Sequence, residues 1–192
     1  MLSESAARWL LVLHTALGVA AVGAATHLVL WLRSCLRGRH GRYRAVRRYA
    51  WIALALHAAA LIAGNAVYPT YKVEVRTAYL ENAGAISADR AARQRELERI
   101  AAREGSPAPQ LAPAAELAKD AAKAARWFDV KEHWVALGLF ASLGLVLLLA
   151  FWDPRTGTAA LAPIAMALAI VIAGTVWFGA IVGVLTSSWR AV

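Results

Sequence analysis

Four long apolar segments dominate the pattern of hydrophobic and polar positions along the chain. They cover residues 9–32, 49–68, 131–152 and 159–186. An α-helix needs about 20 apolar residues to cross the ~30 Å hydrocarbon core of a bilayer, and each segment is long enough. The pattern therefore predicts an all-α polytopic membrane protein in which four transmembrane helices form an antiparallel bundle. The first segment is also too long for the apolar part of a signal peptide, so we expect it to be a span.

The chain is then divided into two transmembrane hairpins and one insertion. The hairpins are residues 1–68 and 131–192, and the insertion is residues 69–130. The short stretch 153–157 contains a proline and a glycine and is predicted to be the tight turn of the second hairpin. The chain is 60% hydrophobic and 17% charged, which is typical of a membrane protein rather than of a soluble domain.

The distribution of arginine predicts the orientation. The formal net charge is +9, and residues 33–48, between the first two segments, contain seven arginines and no acid. Short basic loops stay in the cytosol, so we expect this stretch there, against lipid headgroups and not on nucleic acid. The insertion and both termini are then extracytoplasmic, and in a bacterium the membrane is the inner, cytoplasmic membrane. Aromatic residues expected at the outer interface are Trp9, Tyr68, Tyr71, Trp127, Trp134 and Trp189.

The insertion is predicted to be mainly helical. Residues 71–76 alternate apolar and charged side chains, which predicts an extended piece or a short amphipathic edge. A helix over 87–104 is expected to begin at Ser87 and to stop at Gly105. After a hinge at 106–109, a second helix over 113–126 is expected to continue into the third apolar segment.

Four histidines in or beside the apolar segments are the best functional clue. They are His14, His27, His57 and His133. Ionisable side chains within spans are costly and usually face the bundle interior. The distances of His27 and His57 from the ends of their segments place them at depths of ~9 and ~13 Å. Two imidazoles from facing helices can be the axial ligands of a haem, so we predict one b-type haem between His27 and His57. Histidines hydrogen-bonded between helices, a metal site and a proton relay are the alternatives.

A second, less favoured pair is formed by His14 and His133. His14 and His27 lie on different faces of their helix, whereas in a two-haem bundle the two histidines of one helix share a face, so one haem is expected. Asp129, Glu132 and His133 form a possible polar site, in which carboxylate and imidazole could orient each other, bind a metal or hold a quinone headgroup. Asp129 could instead be a charge at the start of the membrane helix. Residues 65–71 could hold a headgroup, although a helix that ends at a proline explains them as well.

The four-helix bundle, three of whose spans carry histidines, resembles membrane b-type cytochromes, and the likeness is carried by His14, His27, His57 and His133. The resemblance implies electron transfer through haem b, with quinol and an extracytoplasmic redox protein as possible partners. The alternative is a non-enzymatic accessory or structural subunit that packs with other membrane subunits. Whether the chain is an enzyme stays open, because no motif for phosphate binding, zinc hydrolysis or a serine nucleophile is present.

Overall fold

The computed structural model describes residues 3–188, and within this range it contains helices and no strand. The α-helices are α1 (Glu4–Leu36), α2 (Tyr43–Thr70), α3 (Ala83–Glu104), α4 (Ala114–Phe151) and α5 (Leu161–Ser187). The all-helical fold class is confirmed. In the described residues, α1, α2, α4 and α5 are long and apolar enough to cross a membrane. Trp189, expected at an interface, lies outside the described residues.

The helices extend beyond the apolar segments that predicted them. α1 begins at Glu4, where the Ser3 hydroxyl accepts a hydrogen bond from the backbone N–H of Ala6 at 3.3 Å. α2 begins at Tyr43, within the arginine-rich stretch, because arginine is a good helix former. The arginines are therefore shared between two helix ends and a short connection. We call this end of the bundle the arginine end and the opposite end, next to residues 69–130, the insertion end.

Each of the four long helices packs against two others. α1 contacts α2 and α5, and α4 also contacts α2 and α5. The core between them is built from alanine and branched aliphatic side chains. Its fully buried members include Leu28, Leu32, Val46, Leu145 and Leu149. Alanine at so many contacts lets the helix backbones approach closely.

The arginine end is closed by a tyrosine and a turn. The Tyr43 hydroxyl donates to the carbonyl oxygen of Leu149 at 2.9 Å, which ties the start of α2 to the end of α4. The backbone N–H of Gly157 donates to the carbonyl oxygen of Asp153 at 2.7 Å. The tight turn predicted between the third and fourth segments is therefore confirmed.

The prediction of an extended piece over 71–76 is wrong. α2 runs through Pro69 and continues as a π-helix over Tyr71–Leu80. Proline removes one backbone donor, and the wider π turn that follows accommodates the interrupted hydrogen bonding. The buried side chains recur every fourth residue, at Tyr71, Val75 and Tyr79. This spacing is helical, and it outweighed the local alternation of apolar and charged residues.

α3 begins one turn earlier than expected. The Asn82 side chain accepts a hydrogen bond from the backbone N–H of Ala85 at 3.1 Å, so Asn82 caps the helix and Ser87 lies inside it. Gly105 ends the helix as predicted, with a left-handed φ of +66°. α4 then begins after Pro113 and continues without a break to Phe151, which confirms the predicted continuation.

Candidate functional site at the insertion end

The structure does not bring His27 and His57 together. His27 is exposed, and its Nδ1–H donates to the carbonyl oxygen of Gly23 in its own helix at 2.9 Å. His57 is only 2% exposed, and its Nε2–H donates to the carbonyl oxygen of Val135 in α4 at 3.0 Å. One ring therefore lies on the surface of α1, and the other points into the bundle.

The two histidines also lie at different levels. The His27 ring centre is 6.4 Å from that of Tyr49, whereas Nδ1–H of His14 donates to the carbonyl oxygen of Ala60 at 2.9 Å. This pairing of α1 with α2 puts His57 level with a residue close to Val19, about eight residues or ~12 Å from His27. The depths taken from the segment ends do not match because those ends are staggered in the bundle. As arranged, the two imidazoles cannot flank one iron, so these residues do not fit a shared haem.

Asp129 and His133 do not form a carboxylate–imidazole pair. His133 is exposed, and its Nδ1–H donates to the backbone carbonyl oxygen of Asp129 at 2.8 Å. The Asp129 carboxylate instead accepts two hydrogen bonds from Arg76, at 2.5 and 3.1 Å. Asp129 also lies deep within α4, so its interpretation as a helix-start charge is wrong. His14 is hydrogen-bonded to α2, and the exposed His133 is hydrogen-bonded within α4. The two imidazoles therefore do not form a pair.

Arg76 is a residue that the sequence did not single out. It lies in the π-helix, and its Nε–H donates to the Glu81 carboxylate at 2.8 Å while its terminal nitrogens reach Asp129. The guanidinium thus joins the extension of α2 to α4. Glu132 is half-buried on the next turn of α4, three residues after Asp129. The sequence signal was the helical spacing of residues 71–79, which brings Arg76 to the side of α4.

An aromatic pair lies next to this ion pair. The Tyr71 ring stacks on Phe128 with ring centres 4.1 Å apart and planes at 20°. Tyr71 is 7% exposed, and its hydroxyl has no hydrogen-bond partner among residues 3–188. Nζ of Lys131 lies 5.1 Å from the centre of the same Phe128 ring. Phe128 therefore links a buried hydroxyl to an ammonium group.

Lys131 is the second residue that the sequence did not single out. It is half-buried, and its Nζ extends toward α5, where a Cβ placed on Gly183 would lie 3.4 Å away. In the described part of the chain no carboxylate lies within 4 Å of this ammonium. The lysine is near enough to His14 for its charge to act on the imidazole. A cation held between helices without an ion-pair partner is costly and so marks a functional hypothesis.

Both interior histidines pack on glycines. A Cβ on Gly64 would lie 2.9 Å from Cε1 of His14, and a Cβ on Gly138 would lie 2.7 Å from Cε1 of His57. Because a carbonyl oxygen only accepts hydrogen bonds, the proton of the neutral His14 ring is on Nδ1 and that of His57 is on Nε2. His14 Nε2 and His57 Nδ1 are then acceptors. Within residues 3–188, His57 Nδ1 has no partner.

Four of these side chains lie toward the insertion end of the bundle, whereas His57 is about 21 Å from Tyr71 along α2 and belongs to the middle of the bundle. We call these four the insertion-end cluster, and its members are His14, Tyr71, Phe128 and Lys131. Lysine and tyrosine supply hydrogen-bond donors, His14 supplies an acceptor, and phenylalanine supplies an aromatic face. Such a set suits a ligand that is flat, uncharged and able to both accept and donate hydrogen bonds.

Comparison with protein-family models, curated proteins and solved structures found no match for this chain. The chemistry of the insertion-end cluster is therefore the basis for a functional proposal.

Proposed function

We propose that the protein is a multi-pass membrane protein that binds the headgroup of a quinone or quinol in the insertion-end cluster, and that it serves membrane electron transfer in this way. The four long helices would cross the bilayer as an antiparallel bundle. The positive-inside rule would put the arginine end in the cytosol and the insertion and both termini on the other side. In a bacterium this membrane would be the inner membrane.

The observation that carries the proposal is the Lys131 ammonium, which lies between helices with no carboxylate partner in residues 3–188. In the low dielectric of a helix bundle, an unpaired ammonium destabilises the protein unless a hydrogen-bond acceptor compensates it. A quinone carbonyl oxygen is such an acceptor, and a lipid-soluble quinone reaches this depth through the bilayer.

The rest of the cluster matches both redox forms of that headgroup. The oxidised ring presents two carbonyl oxygens, for which Lys131 and the unpartnered Tyr71 hydroxyl are donors. The reduced ring presents hydroxyl groups, for one of which His14 Nε2 is an acceptor. Phe128, stacked on Tyr71, offers an aromatic face to either ring. The proposal includes no haem on His27 and His57, because their imidazoles do not fit that role.

The test is a titration of the purified protein with a short-chain ubiquinone in phosphatidylcholine nanodiscs, followed by quenching of tryptophan fluorescence. We expect saturable quenching that weakens several-fold in Tyr71→Phe, since the variant lacks one hydrogen bond and keeps the ring. Tyr49→Phe, at the arginine end, is the matched control and should bind as the wild type does. Quenching that does not saturate in the wild-type protein would refute the proposal.

A non-enzymatic accessory subunit is the second candidate. The observation in its favour is α3, in which Ile86 and Ala101 are the buried residues, so that most of the helix surface is free for a partner protein. Its test is purification from the native membrane with mild detergent. Stable co-purification of other membrane subunits, together with no quinone binding, would favour this function over the first.

A further inference from the structure

The arginine end of the bundle carries a dense group of exposed cations. All seven arginines of the stretch 33–48 are exposed, and they lie on the last turn of α1, the connection and the first turns of α2. We call them the arginine collar, and its members are Arg33, Arg37, Arg39, Arg42, Arg44, Arg47 and Arg48.

The collar is not neutralised by the protein. Among residues 3–188, no collar arginine has a carboxylate oxygen within 4 Å. The carboxylate of the neighbouring turn, Asp153, is already engaged by Arg155, which donates to it at 2.5 to 3.0 Å. These hydrogen bonds hold the pKa of Asp153 down at about 2. Seven positive charges are therefore available to an anionic partner.

An aromatic layer lies just below the collar. The rings of Trp31 on α1 and Tyr49 on α2 are 4.5 Å apart, and the exposed His27 ring is 6.4 Å from each of them. The guanidinium carbon of Arg42 lies 6.0 Å from the Trp31 ring centre. Tryptophan and tyrosine prefer the headgroup level of a bilayer. The helices next to these rings are long and apolar enough to cross a membrane. The aromatic preference would therefore put the collar at the depth of the lipid phosphates.

We propose that the arginine collar is a binding site for the phosphate groups of anionic phospholipids, with the Trp31–Tyr49 layer packed against the glycerol backbone and upper acyl chains. Guanidinium groups bind phosphate oxygens bidentately, and juxtamembrane basic clusters attract anionic lipids. The aromatic layer favours a membrane lipid over a soluble acidic protein or a nucleic acid. This proposal depends on the membrane placement of the helices and is independent of quinone binding.

The test uses spin-labelled lipids and the full chain in phosphatidylcholine bilayers. We expect wild-type protein to prefer labelled phosphatidylglycerol over labelled phosphatidylcholine by about fivefold, because two or more guanidinium groups can reach one phosphate. In 1 M NaCl the preference should fall toward equality, since the Debye length is then only about 3 Å. Equal association of both lipids with the wild-type protein at low salt would overturn the proposal.

A matched pair of triple variants locates the site. Arg42→Gln, Arg44→Gln and Arg47→Gln together should abolish the preference. The control replaces three exposed arginines of α3, Arg93, Arg95 and Arg99, by glutamine and should retain it. If the control loses the preference and the collar variant keeps it, the collar is not the site. Quinone titration of the collar variant should match wild type, so a failure here is distinguishable from a failure of the proposed function.

Discussion

Arg76 and Asp129 form a two-point ion pair, with nitrogen–oxygen distances of 2.5 and 3.1 Å, that joins the π-helical extension of α2 to the interior of α4. Its atoms are partly exposed, with side-chain exposures of 19% and 41%, so solvent screens it. The stacked rings of Tyr71 and Phe128 lie at the same contact between the π-helix and α4, next to this ion pair.

We expect Arg76→Gln to lower the free energy of unfolding by about 1 kcal/mol, because the variant leaves the Asp129 carboxylate with fewer donors. Thermal unfolding in detergent measures this. Arg93→Gln removes an exposed pair with Asp89 on α3 and should change the melting temperature less. Equal effects of the two variants would mean that the α2–α4 pair is not a structural link.

Gly138 is predicted to be irreplaceable even by alanine. An added Cβ would lie 2.7 Å from Cε1 of His57 and would also press on Thr175, so Gly138→Ala should destabilise the protein by about 1–3 kcal/mol through overpacking. Gly174→Ala is the control, since no atom lies within 4 Å of its added Cβ. Thermal unfolding of the two variants should differ clearly, and a stable Gly138→Ala would contradict the observed His57 packing.

The sequence predicted the helices well, but it predicted poorly how far each helix is shifted along the bundle axis relative to its neighbours. Apolar runs of about 20 residues predict the spans because their length is fixed by the bilayer. The runs do not specify how far each helix extends into polar sequence, as α1 and α2 do at the arginine end. The pairing of His27 with His57 needed that information, and the structure puts Tyr49 beside His27 instead.

Part of the candidate site was nevertheless accessible from sequence. His14 and His57 are candidates from sequence because an ionisable group in a span needs an interior partner, and both contact a neighbouring helix. Lys131 carries no such signal in the sequence, because a lysine at the edge of a span normally extends to the headgroup region. Its position beside Phe128 follows from the i,i+3 spacing on α4, whereas the approach of its Nζ to Gly183 of α5 is a tertiary property.

His27 should be dispensable for any visible pigment. The protein would be purified after haem-replete expression, and its spectrum would be recorded before and after dithionite. Since the His27 ring is on the surface and hydrogen-bonds within α1, His27→Ala should leave the spectrum unchanged. A reduced α-band that disappears in both His27→Ala and His57→Ala would instead restore the haem between these two histidines.

The orientation of the bundle can be tested by cysteine labelling. The native Cys35 is fully buried and unsuitable as a target, so it is replaced by serine. A cysteine introduced at the exposed Arg39 should react only after permeabilisation, because the arginine stretch is expected in the cytosol. A cysteine introduced at Ser106 should react in intact spheroplasts. The reverse pattern would invert the proposed orientation.

The most direct test of the central claim is the affinity of Lys131→Met for a short-chain ubiquinone in nanodiscs. Methionine keeps the length and apolar stem of lysine and removes the charged donor, whose hydrogen bond contributes about 1.5–3 kcal/mol. Lys123→Met is the control, because Lys123 is exposed and pairs with Asp120 on the same helix. We predict that Lys131→Met binds at least about tenfold more weakly than wild type while Lys123→Met binds equally well. Unchanged affinity of Lys131→Met would contradict the account.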